Sequence, residues 1–361
     1  MMELDEKDLA IIEALDSSWP KISTRQLSER LNIPSRTIRY RLARLKEMGV
    51  LYHIRIVTHE RKLGLGKCFI VMDVIPRKEN ALLRILKQIP YIHSISSTYG
   101  RFNGYYLELL YSLDTPRVCA DLLQALKAAG YIQNSYCIDL VDYHMKGIDF
   151  NSYDVSTKDW LFDWDDWHQN IETTYAKGKS FDFTFEVITK RKDFDNTDAM
   201  LLRILKEDVT LSLKELKERI NLSEVQISRR LQRLEEKDII KGYKFVLAPK
   251  KSHDLIYFLC FLETFDPLKQ LLACIYQLPF LIEIFIETST KLCLLFRLPA
   301  DDYKSLLKGF DLLRPYLKYY TIQTIHLFSK SNYANVYDFY DKTTHSWKTP
   351  IKKYLELIKK K

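Results

Sequence analysis

Residues 34–49, PSRTIRYRLARLKEMG, decide how this chain is read. On a helix, with about 100° between successive residues, Ile38, Leu42 and Leu45 share one face. Their i, i+4, i+7 spacing is the one that buries a helix against a small core. Arg36, Thr37, Tyr40 and Arg44 stand on and around the opposite face, with Arg39 and Arg41 on its flanks. No carboxylate interrupts the run before Glu47, so four arginines precede the first acid. An ordinary surface helix interleaves its charges to gain i,i+4 pairs. A run of cations suits a phosphate backbone instead.

The flanking segments frame this helix. Residues 4–15, LDEKDLAIIEAL, carry a helical apolar stripe with Asp5 placed as an N-cap. Residues 23–31 open on a Ser-Thr cap signal and turn Leu27 and Leu31 inward. Asn32-Ile33-Pro34 then makes a tight turn, with Pro34 at a helix entrance, where its missing N–H costs nothing. Helix, helix, short turn and basic helix form the helix-turn-helix pattern. Gly49 ends the third helix, and VLYHIRIVTHERKLG (50–64) reads as a two-stranded wing carrying Arg55, Arg61 and Lys62.

A different texture follows. Strands at 67–75, 92–98, 105–111 and 131–143 alternate with helices at 77–88 and 115–129, in the βαββαβ order of the ferredoxin-like split unit. The chain then repeats itself. LDEKDLAIIEAL aligns with FDNTDAMLLRIL (194–205), and residues 22–51 align without a gap with 211–240. Ile38, Leu42 and Leu45 fall on Ile227, Leu231 and Leu234, while Arg41 and Arg44 fall on Arg230 and Arg233. A second βαββαβ succession occupies 255–328. The expected fold is α+β, as two copies of a winged helix-turn-helix followed by a ferredoxin-like unit. The boundaries are 1–63, 64–146, an acidic Trp-rich segment 147–193, then 194–250, 253–330 and an aromatic and basic tail 331–361.

Charge sharpens this reading. Residues 21–62 hold 11 Lys/Arg against 3 Asp/Glu, a net +8 equal to that of the whole protein. Residues 211–251 hold 11 against 6, so the second copy is the weaker polyanion binder. The six cysteines are scattered through apolar stretches without a CxxC pair and read as reduced, buried thiols. The amino terminus lacks the apolar core of a signal peptide, and no window approaches a membrane span, so a cytoplasmic protein is expected. The histidines show no metal-binding spacing, and there is no phosphate loop or nucleophile elbow. The expectation is therefore no enzyme, no cofactor and no metal.

The stretches LDEKDLAIIEAL and LNIPSRTIRYRLARLKEMGVL, with the βαββαβ unit behind them, resemble the Lrp/AsnC family, the feast/famine transcription regulators of bacteria and archaea. The resemblance covers about 4–144 and 194–328. It implies a double-stranded DNA partner and a ferredoxin-like domain of the RAM type that senses ligands and dimerises. Homo-oligomers and an intrachain pseudo-dimer are both compatible with it. On this basis Arg36, Thr37, Arg39 and Tyr40 are candidate base readers in copy one, and Val225, Gln226 and Arg229 in copy two. Arg36 suits guanine and Gln226 suits adenine. Candidate phosphate contacts are Arg41, Arg44, Arg55, Arg61, Lys62, Arg230, Arg233, Lys241 and Lys244. Arg41 sits only about 60° from the apolar centre of its helix, where a structural ion pair suits it equally well.

In the family, the turn between the two central strands lies near an amino-acid effector pocket. Here Gly100, Arg101, Asn103 and Gly104 occupy it in copy one, and a glycine-free turn, 288–291, in copy two. Siroheme decarboxylases, which resemble paired AsnC-type proteins, give an enzymatic alternative. A regulatory partner that does not itself bind DNA gives a third. Within 149–173, Trp160, Trp164, Trp167 and Ile171 fit one helical face, and FDFTFEVIT (181–189) alternates like an edge strand. Residues 150–160, FNSYDVSTKDW, are echoed in the aromatic segment after copy two, and the last helix turns Ile351, Tyr354, Leu355 and Ile358 to one side.

Overall fold

The computed structural model describes residues 4–16, 24–48, 51–157, 159–185, 187–188, 191, 193–209, 211–247, 255–327, 336–348 and 351–359. Copy one opens with α1 (Glu6–Asp16), α2 (Thr24–Leu31), α3 (Ser35–Glu47) and β1 (Leu51–Thr58). It continues through β2 (Leu65–Val74), α4 (Glu79–Leu86), β3 (Ile92–Gly100), β4 (Gly104–Ser112), α5 (Val118–Ala128) and β5 (Ile132–Leu140). A connecting segment holds β6 (Asp142–Lys146), β7 (Tyr153–Asp154), β8 (Asp159–Trp160) and α6 (Trp164–Ala176). Copy two supplies α7 (Asn196–Glu207), α8 (Leu213–Arg219), α9 (Glu224–Glu236), β9 (Ile240–Leu247), β10 (Leu255–Thr264), α10 (Lys269–Ile275), β11 (Ile282–Ile286), β12 (Lys291–Pro299), α11 (Tyr303–Leu313) and β13 (Leu317–Leu327). The tail adds β14 (Tyr340–Asp341), β15 (Ser346–Trp347) and α12 (Ile351–Lys359).

The two ferredoxin-like units share one nine-stranded sheet in the order β5-β2-β4-β3-β13-β10-β12-β11-β6. Each unit keeps its own 4-1-3-2 order within that list. β5 and β6 are one strand bent at Val141: the first part pairs with β2 and the second with β11. The two ends of the sheet therefore meet at the bend, and the two halves face each other. Strand β2 shows why. Cys68, Ile70 and Met72 point to the helices, while Phe69 and Val71 point between the sheets, as strict alternation requires. A strand buried on both faces reads as a continuous apolar run, and LGKCFIVMDV is one. Across the interface Phe69 meets Phe285 edge-on at 4.3 Å, and Tyr136 meets Phe261 at 5.2 Å.

The wing differs from expectation. Residues 51–58 form a single strand that pairs antiparallel with β9, its counterpart in copy two, with Arg55 directly opposite Lys244. Residues 60–63 form a 3-10 turn rather than a second wing strand. One ribbon thus joins the two heads, and their equivalent residues meet where it crosses the internal pseudo-dyad.

The insert and the tail each pack a hairpin on their own copy and send a helix to the other. The hairpin β7–β8 supplies Tyr153 to the first helix-turn-helix core, and β14–β15 supplies Tyr340 and Trp347 to the second. Asp154 and Asp341 cap the two turns alike, accepting from the backbone N–H groups of Ser156 (2.7 Å) and Thr343 (2.8 Å). The helices that follow cross over. α6, from the end of copy one, buries Trp167 and Ile171 against α10 and α11 of copy two. α12, from the end of copy two, buries Ile358 against α5 of copy one. Trp160 stands on β8 and not on the face shared by Trp164, Trp167 and Ile171. Residues 181–185 form no strand.

The cysteine expectation is also corrected: Cys68 on β2 and Cys119 on α5 are joined as a disulfide. Packing of α5 over β2 brings together two residues that are 51 positions apart. Cys137, Cys260, Cys274 and Cys293 are free.

Trp167 anchors the crossover. It is 1% exposed, its indole N–H donates to the carbonyl of Cys274 at 2.9 Å, and its ring covers Gly309 where an added Cβ would lie 1.9 Å away. Trp167→Ala should cost about 3–5 kcal/mol, read as a lowered urea midpoint of the full chain. An unchanged midpoint would mean that α6 contributes nothing to copy two.

Candidate nucleic-acid interface

The position of each recognition helix is set by a buried carboxylate. Asp5 caps α1, and its backbone N–H donates to Asp8 Oδ2 at 3.1 Å while the Asp8 N–H donates to Asp5 Oδ1 at 3.0 Å. This reciprocal arrangement is a capping box built from two aspartates. Arg41 of α3 reaches back to it, donating to both Asp5 oxygens at 2.7 Å and to Asp8 at 2.8 Å, and Arg44 bonds Asp8 as well. Asp8 is wholly buried. Partial burial works against the charge on Asp5, but Arg41 and backbone donors hold its carboxyl below the usual range, and the same bond raises the Arg41 guanidinium.

Copy two repeats the cluster atom for atom. Arg230 donates to Asp195 and Asp198 at 2.8–2.9 Å, and Arg233 bonds Asp198. Of the two roles open to the shared arginines, scaffold or backbone contact, these bonds support the scaffold one: they are struts that hold each recognition helix on its neighbour.

Other expected phosphate contacts are also engaged internally. Arg61 donates to the Leu140 carbonyl at 2.8 Å and pairs with Asp139. Lys62 is buried and bonds Asp238 at 2.7 Å. Lys241 donates to Asp142 at 2.7 Å and to the Tyr143 carbonyl at 2.8 Å. Arg61 and Lys241 thus reach the sheet at β5 and β6, whereas Lys62 reaches the turn between α9 and β9. The side chains of Arg55 and Lys244 lie outside the described residues, as does Gly49.

What stays open to solvent is the first half of α3. Arg36, Arg39 and Tyr40 are exposed, Tyr40 to 68%, and Thr37 is half-buried. α3 enters from Pro34 without a side-chain cap, and among the described residues Arg39 bonds only its own helix, at the Ser35 carbonyl. α9 differs. Ser223 caps it in a box with Gln226, whose side-chain oxygen accepts from the Ser223 N–H at 2.8 Å. A bidentate contact from Gln226 to adenine requires leaving that cap. Val225 is 60% exposed, and Arg229 is exposed but shares its helix with Glu224, Glu235 and Glu236. With the struts set aside, α3 retains Arg36, Arg39 and Lys46 against Glu47, and α9 retains Arg229 against three carboxylates.

The candidate effector loop belongs to the joint between the copies. Gly100 and Gly104 have φ of +140° and +156°, and an added Cβ at Gly104 would meet Val74 at 2.4 Å. Arg101 donates to the Tyr319 hydroxyl at 2.8 Å and lies over that ring. The Asn103 N–H donates to Asp73 at 2.7 Å. Gln323 of copy two, wholly buried, accepts from Phe102 N–H at 3.2 Å and donates to its carbonyl at 2.8 Å. These contacts occupy the loop's polar groups.

A second cluster closes the barrel near the bend. Asp142 accepts from Lys241 and is 3.0 Å from His144. Burial opposes its charge, but His144 and Lys241 hold its carboxyl far below the usual range. Burial, with Lys241 and Lys62 nearby, lowers the His59 imidazole. The cavity beside His59 and Lys67 measures about 20 Å³, room for one water. Between the sheets, Lys67 pairs with Glu108 at 3.1 Å. Burial works against the Glu108 charge, yet Lys67 with His93 and Tyr106 holds the carboxyl down to about 2.

Two exposed-front, strut-backed helices on paired ferredoxin-like units make this a duplicated winged helix-turn-helix protein. A family profile described as winged helix-turn-helix DNA-binding matches residues 4–52 and 194–241. Relatives include an uncharacterized HTH-type transcriptional regulator of Pyrococcus horikoshii, 24% identical over 37% of this chain and 91% of its own length. The HTH-type transcriptional regulator LrpA of the same organism is 37% identical over 16% of this chain and 40% of its own. The chain is a tandem duplicate with two winged helix-turn-helix regions, and each copy is similar to regulators of the Lrp type. No helix among the described residues is long and apolar enough to cross a membrane.

One expectation is overturned by a full-length likeness. The crystal structure of the siroheme decarboxylase NirDL superposes with a TM-score of 0.54 over 98% of both chains, at 12% identity. The same two-copy fold therefore serves an enzyme in another protein, and the exclusion of enzymes from sequence motifs does not stand. Motif absence misled because it tests for known catalytic spacings along the chain, whereas a site between two domains draws residues from distant positions.

The capping-box struts were readable only in part: Asp5 stood out as a cap, but its reach across 36 positions to Arg41 did not. Removing one partner of a buried pair leaves a buried charge unmet and costs about 3–5 kcal/mol. Asp8→Asn and Asp198→Asn should each destabilise their own head by that amount, seen as loss of amide-exchange protection confined to α1 and α3, or to α7 and α9. Uniform loss over both heads would contradict separate struts.

Proposed function

We propose that this protein is a DNA-binding transcription regulator in which copy one is the principal reading head and copy two a weaker, differently tuned one. The single observation behind this is the contrast between the helices once the internal ion pairs are discounted: exposed Arg36, Arg39 and Tyr40 on α3, against Val225 and a lone exposed arginine among carboxylates on α9. Arg36 and Tyr40 then carry base preference, with Thr37 and Arg39 beside them. Val225, Gln226 and Arg229 form the second, less electropositive front. Arg55 and Lys244, opposite one another on the ribbon between the heads, are the remaining candidates for phosphate contact. The intrachain pairing of the two sheets stands in for the dimer that separate chains would form.

A second reading is favoured by the full-length likeness to a siroheme decarboxylase: a tetrapyrrole-acting enzyme. A bound tetrapyrrole absorbs strongly in the visible, so the spectrum of the purified protein separates the two readings. A protein that binds no DNA at low salt and carries such a band supports the enzyme.

Selection from random duplex DNA should return an asymmetric site, stronger on one half, because the heads differ at Arg36 against Val225 and Tyr40 against Arg229. Arg36→Ala should then cost about 1–3 kcal/mol at that site, roughly a 5- to 150-fold rise in Kd. Arg229→Ala should cost less. A clean palindrome, or equal losses for the two variants, would refute unequal heads.

A further inference from the structure

Copy one holds three cysteines on three different elements: Cys68 on β2, Cys119 in the first turn of α5, and Cys137 on β5. Their sulfur atoms all lie within 4.8 Å of one another, with Cys68 buried and the other two half-buried. We propose that, when Cys68 and Cys119 are reduced, these three thiolates form a binding site for one soft, thiophilic metal ion.

The geometry fits the ligand chemistry. With metal–sulfur bonds of about 2.3 Å, three sulfurs around one ion stand roughly 3.8–4.0 Å apart, inside the observed envelope. The Cα atoms of Cys68 and Cys119 are 7.5 Å apart, wider than the ~4.4–6.8 Å that most disulfides span and comfortable for two ligands of a shared ion. Three thiolates and no imidazole select soft cations over magnesium or calcium. Cys119 sits where the N-terminal end of an 11-residue helix favours a thiolate. Burial pushes the Cys137 thiol up to about 12, with Asp139 and Glu287 adding to the shift. That suppresses free thiolate, and a coordinated cation overrides it by displacing the proton.

The trio is peculiar to copy one. Strand registers place Phe258 and Ile322, and the matching helix ranges place Lys304, at the equivalent positions of copy two, so the duplication as such does not account for it. Phe258 instead stacks on Tyr303 at 4.7 Å. The site also lies beneath α12, whose Ile351, Tyr354 and Leu355 pack in the same cluster as Cys119 and Cys137.

The test is titration of the full chain with Cd(II) after reduction by a phosphine that is then removed. One equivalent should bind per chain, with a thiolate-to-cadmium charge-transfer band in the ultraviolet. Cys137→Ser and Cys119→Ser should each lower the affinity at least tenfold and weaken the band, while Cys274→Ser should change neither. Both informative substitutions fall at half-buried positions, and an unchanged urea midpoint verifies the fold. Absence of the band in reduced wild type, or its persistence at full strength in either variant, overturns the proposal.

Discussion

The face-to-face closure of the two four-stranded sheets is the constraint from which the rest of the molecule follows. Phe69 against Phe285 and Tyr136 against Phe261 make an interior that neither sheet could leave in water. Each sheet is covered by helices on its other face, so only the partner copy can cover this one. Closure at the Val141 bend then sets the spacing of the two sheets. Through the β1–β9 ribbon it also sets the relation between the two heads.

Covalent linkage changes what this pairing costs. Two separate chains would lose translational and rotational freedom on meeting, whereas here the second copy is held at high effective concentration. Each copy lends its terminal helix to the other, α6 to copy two and α12 to copy one, so neither outer layer is complete without its neighbour. Once pairing no longer requires identical partners, the two heads are free to differ. The divergence at Arg36 and Val225, and the three-cysteine cluster of copy one, are differences of that kind.

The arginines of the recognition helices show how a charge pattern can carry two meanings. Arg41, Arg44, Arg230 and Arg233 look in sequence like a conserved cationic face repeated across the duplication. In the fold they neutralise two buried aspartates, so the architecture of the head alone accounts for their recurrence. The residues that distinguish the heads are those that did not recur.

Much was legible from the chain alone. Local periodicity sufficed for the three helices of each head, because Ile38, Leu42 and Leu45 bury over a core built from neighbouring residues. Element order and the gapless alignment of 22–51 with 211–240 established the two-copy plan. The echo of FNSYDVSTKDW in the tail marked a real repeat, the aromatic hairpin that seals each head. Tertiary structure decided what depends on partners far along the chain. Pairing of β1 with β9 turned an expected wing into a bridge. Crossover of α6 and α12 joined segments that look like separate appendages. Packing of α5 on β2 brought Cys68 to Cys119, and the reach of Arg41 back to Asp5 withdrew a cation from the DNA face. In each case the sequence specified which groups needed a partner, and only the folded geometry could say which partner they found.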